Sequence, residues 1–334
     1  MCAVSKSKSI SKIRSNNSRI LEKTLSTDST PNLSILIPTK NNESDLLDCL
    51  GSILSLDYDL EKVEIVIWDN NSLPEGKDGI KRYLSDIKKT RLKNAELIEA
   101  KGNYGVYTSR HELLKRIHID SQFILSIDDD VILPPQLLNE ILPFFERDNS
   151  IGIIGPRIVY DDDPEVTAHG AGFVNMWLGQ YSTKDAREPI ECDYVIGCCM
   201  LIKKSVTDEI DGFDQDYYTS HGEVDFCLRT KRKGYKVLYH PGISVRHRVD
   251  RGGTQTLERI YYVYRNKLFV IKKNSPLPQK WISIGLYCFF WLPKAIMDSI
   301  IRNKRINFQE IKTIIRAMTD GWLNRGGRKQ TPQS

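Results

Sequence analysis

Phe123-Ile124-Leu125-Ser126-Ile127-Asp128-Asp129-Asp130 decides the fold. Its apolar part is too short for a helix, and its isoleucines favour a strand buried on both faces. Three carboxylates follow at once, so they emerge where the strand leaves its sheet. Two similar units lie upstream. Leu33-Ser34-Ile35-Leu36-Ile37 is stopped by Pro38, and Val63-Glu64-Ile65-Val66-Ile67-Trp68 runs into Asp69-Asn70-Asn71-Ser72. A further strand is expected over 95–100. Between these strands, residues 45–56, 80–92 and 107–117 carry apolar residues at helical spacing, as with Leu46, Leu47, Leu50, Ile53 and Leu54. Alternation of this kind predicts an α/β chain with a mostly parallel central sheet and helices on both faces. Ligands of such sheets gather beyond the strands' carboxyl ends, where Pro38-Thr39-Lys40, the Asp69 turn and the Asp128 cluster all fall.

Downstream the pattern is mixed. Helices are expected over 135–147 and 223–233, the second ended by Gly234, and strands over 151–154, 194–202 and 236–239, the last halted by Pro241. Residues 1–30 hold eight Ser and a net charge of +4, and read as a flexible basic tail. Residues 256–334 carry fifteen Lys or Arg against four Asp or Glu, net +11, which leaves −10 for 31–255. An acidic centre with basic ends argues against a nucleic-acid partner and suits a metal-using catalytic domain (31–255) whose helical extension (256–334) approaches an anionic membrane surface. The mostly apolar run 281–293 is followed by Lys294 and Asp298, too short to span a bilayer without burying them, and reads as an interfacial helix. An ordinary helix packed on the catalytic domain, or one that forms a homo-oligomer, is the competing reading. Seven cysteines without a CxxC pair favour a reducing compartment and small buried hydrophobes.

Asp128 and Asp130, alternate residues of an extended segment, share a face and are candidate ligands for one hard cation. An acidic turn before Pro134-Pro135 is the competing reading. Glu223 opens the helix Glu223-Val224-Asp225-Phe226-Cys227-Leu228-Arg229, where the dipole favours a carboxylate and a general base can sit. His247, between Arg246 and Arg248, is a further candidate ligand.

In order along the chain, Ile35-Leu36-Ile37-Pro38-Thr39-Lys40-Asn41, Trp68-Asp69-Asn70-Asn71-Ser72, Asn103-Tyr104-Gly105 with Arg110, Asp128-Asp129-Asp130, Gly197 to Lys203, Gly212-Phe213-Asp214, Glu223 to Arg229, Gly234-Tyr235-Lys236-Val237 and Arg246-His247 resemble the family 2 glycosyltransferases of GT-A fold. Tyr261 to Asn266, Asp320-Gly321 and Arg325-Gly326-Gly327 look like its rhamnosyltransferase-like branch. The resemblance implies an inverting, Mn²⁺- or Mg²⁺-dependent transfer from a nucleotide-sugar donor to an acceptor hydroxyl, and the basic C-terminal part suggests a glycan or polyprenyl-linked acceptor at the cytosolic membrane face. It implies Pro38, Thr39 and Glu43 in the nucleotide pocket, Asp69 on the base, and Asn103 and Arg110 near the ribose and diphosphate. Asp128 would contact ribose or sugar, with Asp130 and His247 on the metal. The family usually has two acids at 222 and 223, but here Gly222 precedes Glu223, leaving Glu223 as base and Asp225 as its alternative. A nucleotidyltransferase or a non-catalytic sugar-nucleotide binder would carry some of the same residues.

Overall fold

The computed structural model describes residues 32–87, 92–249, 251, 256–303 and 306–329. The expected tail over 1–30 lies outside them. In chain order the elements are β1 (Leu33–Thr39), α1 (Glu43–Leu54), β2 (Val63–Asp69), α2 (Pro74–Ile87), β3 (Asn94–Glu99), α3 (Val106–Leu114), β4 (Phe123–Ile127), β5 (Val131–Ile132), α4 (Leu137–Arg147), β6 (Ile151–Tyr160), β7 (Asp163–His169), β8 (Ala171–Asn175), β9 (Gln180–Lys184), β10 (Ile190–Glu191), β11 (Cys199–Lys203), α5 (Lys204–Glu209), α6 (Gly222–Arg232), β12 (Lys236–His247), α7 (Leu257–Asn274), α8 (Gln279–Leu286), a π-helical turn (Tyr287–Trp291), α9 (Leu292–Asn303) and α10 (Phe308–Trp322).

The main sheet runs β10-β12-β6-β11-β4-β1-β2-β3. Strands β4, β1, β2 and β3 are mutually parallel, as are β6 and β12, while β11 lies antiparallel between β4 and β6. All seven residues of β1 are buried. Alternate side chains serve two cores, because a strand turns successive residues to opposite faces. Leu33, Ile35 and Ile37 pack among residues of α1, α2 and α4, whereas Leu36 joins Tyr107, Leu113, Val206 and Phe226 from α3, α5 and α6. Each fully buried aliphatic side chain contributes about 1.5–3 kcal/mol, so the sheet is held from both sides.

Several boundaries differ from expectation. The expected short strand before Pro241 is the first third of β12, which continues to His247 with a register shift between His240 and Ser244. Proline cannot donate to the ladder, and here it is absorbed by an irregularity rather than by ending the strand. The expected strand over 194–202 is only Cys199–Lys203. The apolar run after Trp281 belongs to a longer continuous helix. Residues 279–301 are long and apolar enough to cross a membrane by length and composition, and Lys294 pairs with Asp298 at 2.6 Å. The described cysteines are all free, and five of the six are buried.

Candidate functional site

Beyond the carboxyl ends of β1 and β4 opens a cavity of about 880 Å³. Its walls combine residues far apart in sequence, and the sheet register explains how. The chain leaves β4 at Asp128, and two residues after Asp130 are strand β5. That strand pairs antiparallel with the end of β12, His247 opposite Val131. The pairing sets His247 beside Asp130, with Nε2 at 3.1 Å from Oδ1. Ligand atoms of Asp128, Asp130 and His247 all lie within 4.8 Å of one another.

Asp130 Oδ1 is buried and makes no hydrogen bond of proper geometry. A buried carboxylate oxygen met only by the His247 imidazole keeps capacity for a further partner. Two carboxylates and an imidazole at this spacing fit a divalent cation of the Mg²⁺ or Mn²⁺ type. Burial opposes charge on His247, yet Cys198 and Asp130 beside it raise its pKa overall. Asp128 is pushed above the usual carboxylate range by burial, against the pull of Arg110. Arg110 is itself 1% exposed; its guanidinium donates to Asp128 Oδ1 and to the Gly197 carbonyl, both at 2.7 Å. Asp129 faces the other way, accepting from Thr39 Oγ1 and Asn42 Nδ2, and burial lifts its pKa to about 7. It ties the β1 turn to the β4 turn.

Glu223 lies in the first turn of α6 and lines the same cavity. Burial raises its pKa, while a hydrogen bond from Tyr107 Oη and the nearby Arg110 hold it down. A Cβ at Gly222 would stand 2.6 Å from the Tyr107 ring. The departure at 222 therefore has a steric reason. Tyr107 fills the space that a side chain at 222 would need, and spends its hydroxyl on Glu223.

The other expected residues divide. Pro38, Thr39, Asn103 and Arg110 line the cavity. Glu43 does not; its carboxylate packs against α2, where a Cβ on Gly79 would meet Oε1 at 1.4 Å. Asp69 is fully buried and turned into its own turn, accepting from the Ser72 N–H at 3.1 Å and facing Lys77 at 3.5 Å. Its neighbour Asn70 lines the cavity instead. Asp225 is also off the wall: Arg229 Nε and Asn274 Nδ2 occupy its two oxygens, pinning α6 to α7.

Residues not anticipated complete the walls: Asn70, Tyr107, His169, Tyr218, Arg259 and Arg328. The motifs near the C-terminus explain Arg328. Arg265 of α7 is fully buried and donates to the carbonyls of Asp216 at 3.0 Å and Gly327 at 2.6 Å. Asn266 Nδ2 donates to the carbonyls of Thr219 and Ser220 at 2.6 and 2.8 Å. Ser220 and His221 both adopt left-handed φ, 62° and 65°, a conformation that non-glycine residues hold only under constraint. The pair Arg265-Asn266 thus clamps the segment leading into Glu223. It also docks the strap after α10 over that segment, which brings Arg328 to the cavity.

The description "Glycosyl transferase family 2" fits a model matching residues 34–211, and "Glycosyl transferase family group 2" one matching 123–302. The low-salt glycan biosynthesis hexosyltransferase Agl10 of Haloferax volcanii is 22% identical over 244 residues, 70% of this chain and 74% of that protein. The rhamnosyltransferase WbbL of Escherichia coli K12 is 33% identical over 78 residues, 22% of this chain and 30% of that protein. Among solved structures, the mannosyltransferase PcManGT from Pyrobaculum calidifontis, determined with GDP-Man and Mn²⁺, superposes with a TM-score of 0.58 at 14% identity, covering 89% of each chain, and shares the GT-A architecture. A sheet of this topology, a cavity walled by the matched motifs and a family match across more than half of its length place the chain in glycosyl transferase family 2.

Proposed function

We propose that the chain is an inverting, metal-dependent glycosyltransferase that moves a hexosyl unit from a nucleotide-sugar donor to a hydroxyl of a glycan acceptor, polyprenyl-linked and presented at the cytosolic face of a membrane. The observation that carries this reading is that Glu223 opens onto the same cavity as Asp128, Asp130 and His247. The donor occupies the side formed by Pro38, Thr39, Asn70 and Asn103, with its diphosphate toward Arg110 and Arg328. When bound, Mn²⁺ or Mg²⁺ supplies positive charge to the departing diphosphate. Arg110, fixed by Asp128, adds a second positive group that needs no rearrangement during the reaction. Glu223 takes the proton of the acceptor hydroxyl. That oxygen attacks the anomeric carbon as the bond to the nucleoside diphosphate breaks on the opposite face.

Peripheral membrane association is supported by an apolar patch from two elements. Trp177 and Leu178 at the β8–β9 turn, and Trp281, Ile282, Phe289 and Phe290 of the helix, are all exposed. Trp291 Nε1 and Ser283 Oγ bond the carbonyls of that turn, so helix and turn form one surface. The opposite face of the helix, with Ile284 and Tyr287, packs into the protein. A helix with one face buried in protein and the other bare suits the interfacial plane better than a span.

A panel of nucleotide sugars, assayed with and without Mn²⁺ or Mg²⁺, tests the reaction class. The reading expects metal-dependent release of a nucleoside diphosphate from at least one donor. Release of pyrophosphate would mark a nucleotidyltransferase, and donor binding without turnover a non-catalytic module.

A further inference from the structure

A second pocket of about 430 Å³ adjoins the main cavity and shares His169, Ile196, Ser220, Glu223 and Arg259 with it. Lys267, Tyr181, Tyr194 and His221 belong to this side pocket alone. We propose that it binds the acceptor, and that the acceptor sugar carries an anionic group whose countercharge is Lys267. The proposal rests on the glycosyltransferase reading, since it takes Glu223 as the base between donor and acceptor.

Lys267 projects from α7 with its ammonium 5.5 Å from the Tyr181 ring centroid. Among the described residues it has no carboxylate partner, and burial alone holds it below the usual lysine range. Burying a cation without a counterion is unfavourable, so an anion entering here regains what folding gave up. Arg259 on the shared wall likewise has no ion pair among the described residues and adds positive charge. The two imidazoles do not: burial keeps His221 near a pKa of about 3 and His169 near about 4, so both are neutral at pH 7. Glu223 is the one carboxylate on the pocket wall. It repels an anion at the shared mouth, whereas Lys267 attracts one on the far side. The acceptor is thereby oriented with a hydroxyl toward Glu223 and its charge away from it.

The neutral part of a sugar also finds partners. Tyr181 Oη and His221 Nδ1 are buried without a hydrogen bond, and buried polar atoms are seldom left so. The rings of Tyr181 and Tyr194, 6.3 Å apart, give an apolar wall for a pyranose face. The pocket's volume lies within the ~300–1,000 Å³ usual for small-molecule sites.

The test is calorimetric titration of the full chain, with Mn²⁺ present, by glucuronate, glucose 1-phosphate and glucose, alongside UDP and GDP. At least one charged sugar should bind tenfold or more tightly than glucose. Preference for glucuronate identifies a carboxylate acceptor, and preference for glucose 1-phosphate a phosphate-bearing one. Lys267→Met should abolish the preference and Lys267→Arg should keep it, while the nucleotide affinity of both stays that of the parent, which also reports an intact fold. The proposal is overturned if glucose binds as well as both charged sugars, if none of them binds, or if Lys267→Met retains the preference. Absence of nucleotide binding with the charged-sugar preference intact would instead strike the glycosyltransferase reading and leave the anion pocket standing.

Discussion

Tyr107 and Gly222 act as one unit around Glu223. The glycine makes room for the ring, and the ring's hydroxyl steadies the carboxylate. A base must be ionised to act, and burial has moved Glu223 above the ordinary carboxylate range, so activity should rise with pH along an acid limb higher than that range. Tyr107→Phe removes a hydrogen bond that favours the ionised form. Its acid limb in kcat/KM should move further up, with the loss greatest at acid pH and shrinking as pH rises; a pH–rate profile identical to the parent would remove Tyr107 from this role. The same scale shows what the sequence hid. Asp69 and Asn70 are adjacent, and adjacent residues at a strand end face opposite ways, so Asn70 and not Asp69 lines the cavity. Glu43 turns toward Gly76 and Gly79, and no local pattern shows that their i,i+3 spacing receives its side chain. His247 is a candidate from the sequence, yet only the β5–β12 register explains its partner.

Among the elements, the strap after α10 and the clamp on α7 have the clearest consequence. Asn266 satisfies two backbone carbonyls in a segment held in left-handed conformation. Asn266→Ala should destabilise the fold by about 1–3 kcal/mol, the usual consequence of stranding buried acceptors. It should also speed amide exchange over 219–221 and reduce kcat. Urea unfolding with exchange measured by mass spectrometry checks both, and unchanged exchange at those residues would contradict the clamp. The strands β1, β2 and β4 were readable because near-continuous apolar runs admit few alternatives. The second half of β12 was not, since Pro241 and Gly242 signal a turn locally and only pairing with β6 overrides them. Nor was the clamp: the chemistry of Arg265 depends on carbonyls at 216 and 327, which no local pattern links.

At the scale of the whole molecule, the catalytic cavity and the apolar patch belong to one compact unit from Asn32 onward. The helices after 256 cannot be treated as a removable anchor, because α10 packs along α7, which carries the clamp. Membrane affinity is better tested by surface substitution. Replacing Trp281, Phe289 and Phe290 by Ser removes three exposed aromatics, Phe289 being 88% exposed, without opening the core. Each is worth about 1.5–3 kcal/mol when buried. Flotation with anionic liposomes should therefore fall more than tenfold at unchanged melting temperature, and the residual binding should weaken with salt. Flotation equal to the parent's would exclude the patch.

The central claim is that a base on α6 and a cation-binding group formed by the turn after β4 and the end of β12 serve one transfer. Glu223→Gln keeps size and hydrogen bonding but cannot accept a proton. Transfer measured with the active donor should fall about 10²–10⁴-fold, as expected for loss of a general base, while nucleoside-diphosphate affinity in Mn²⁺ stays that of the parent. Turnover at the parent rate would contradict the account.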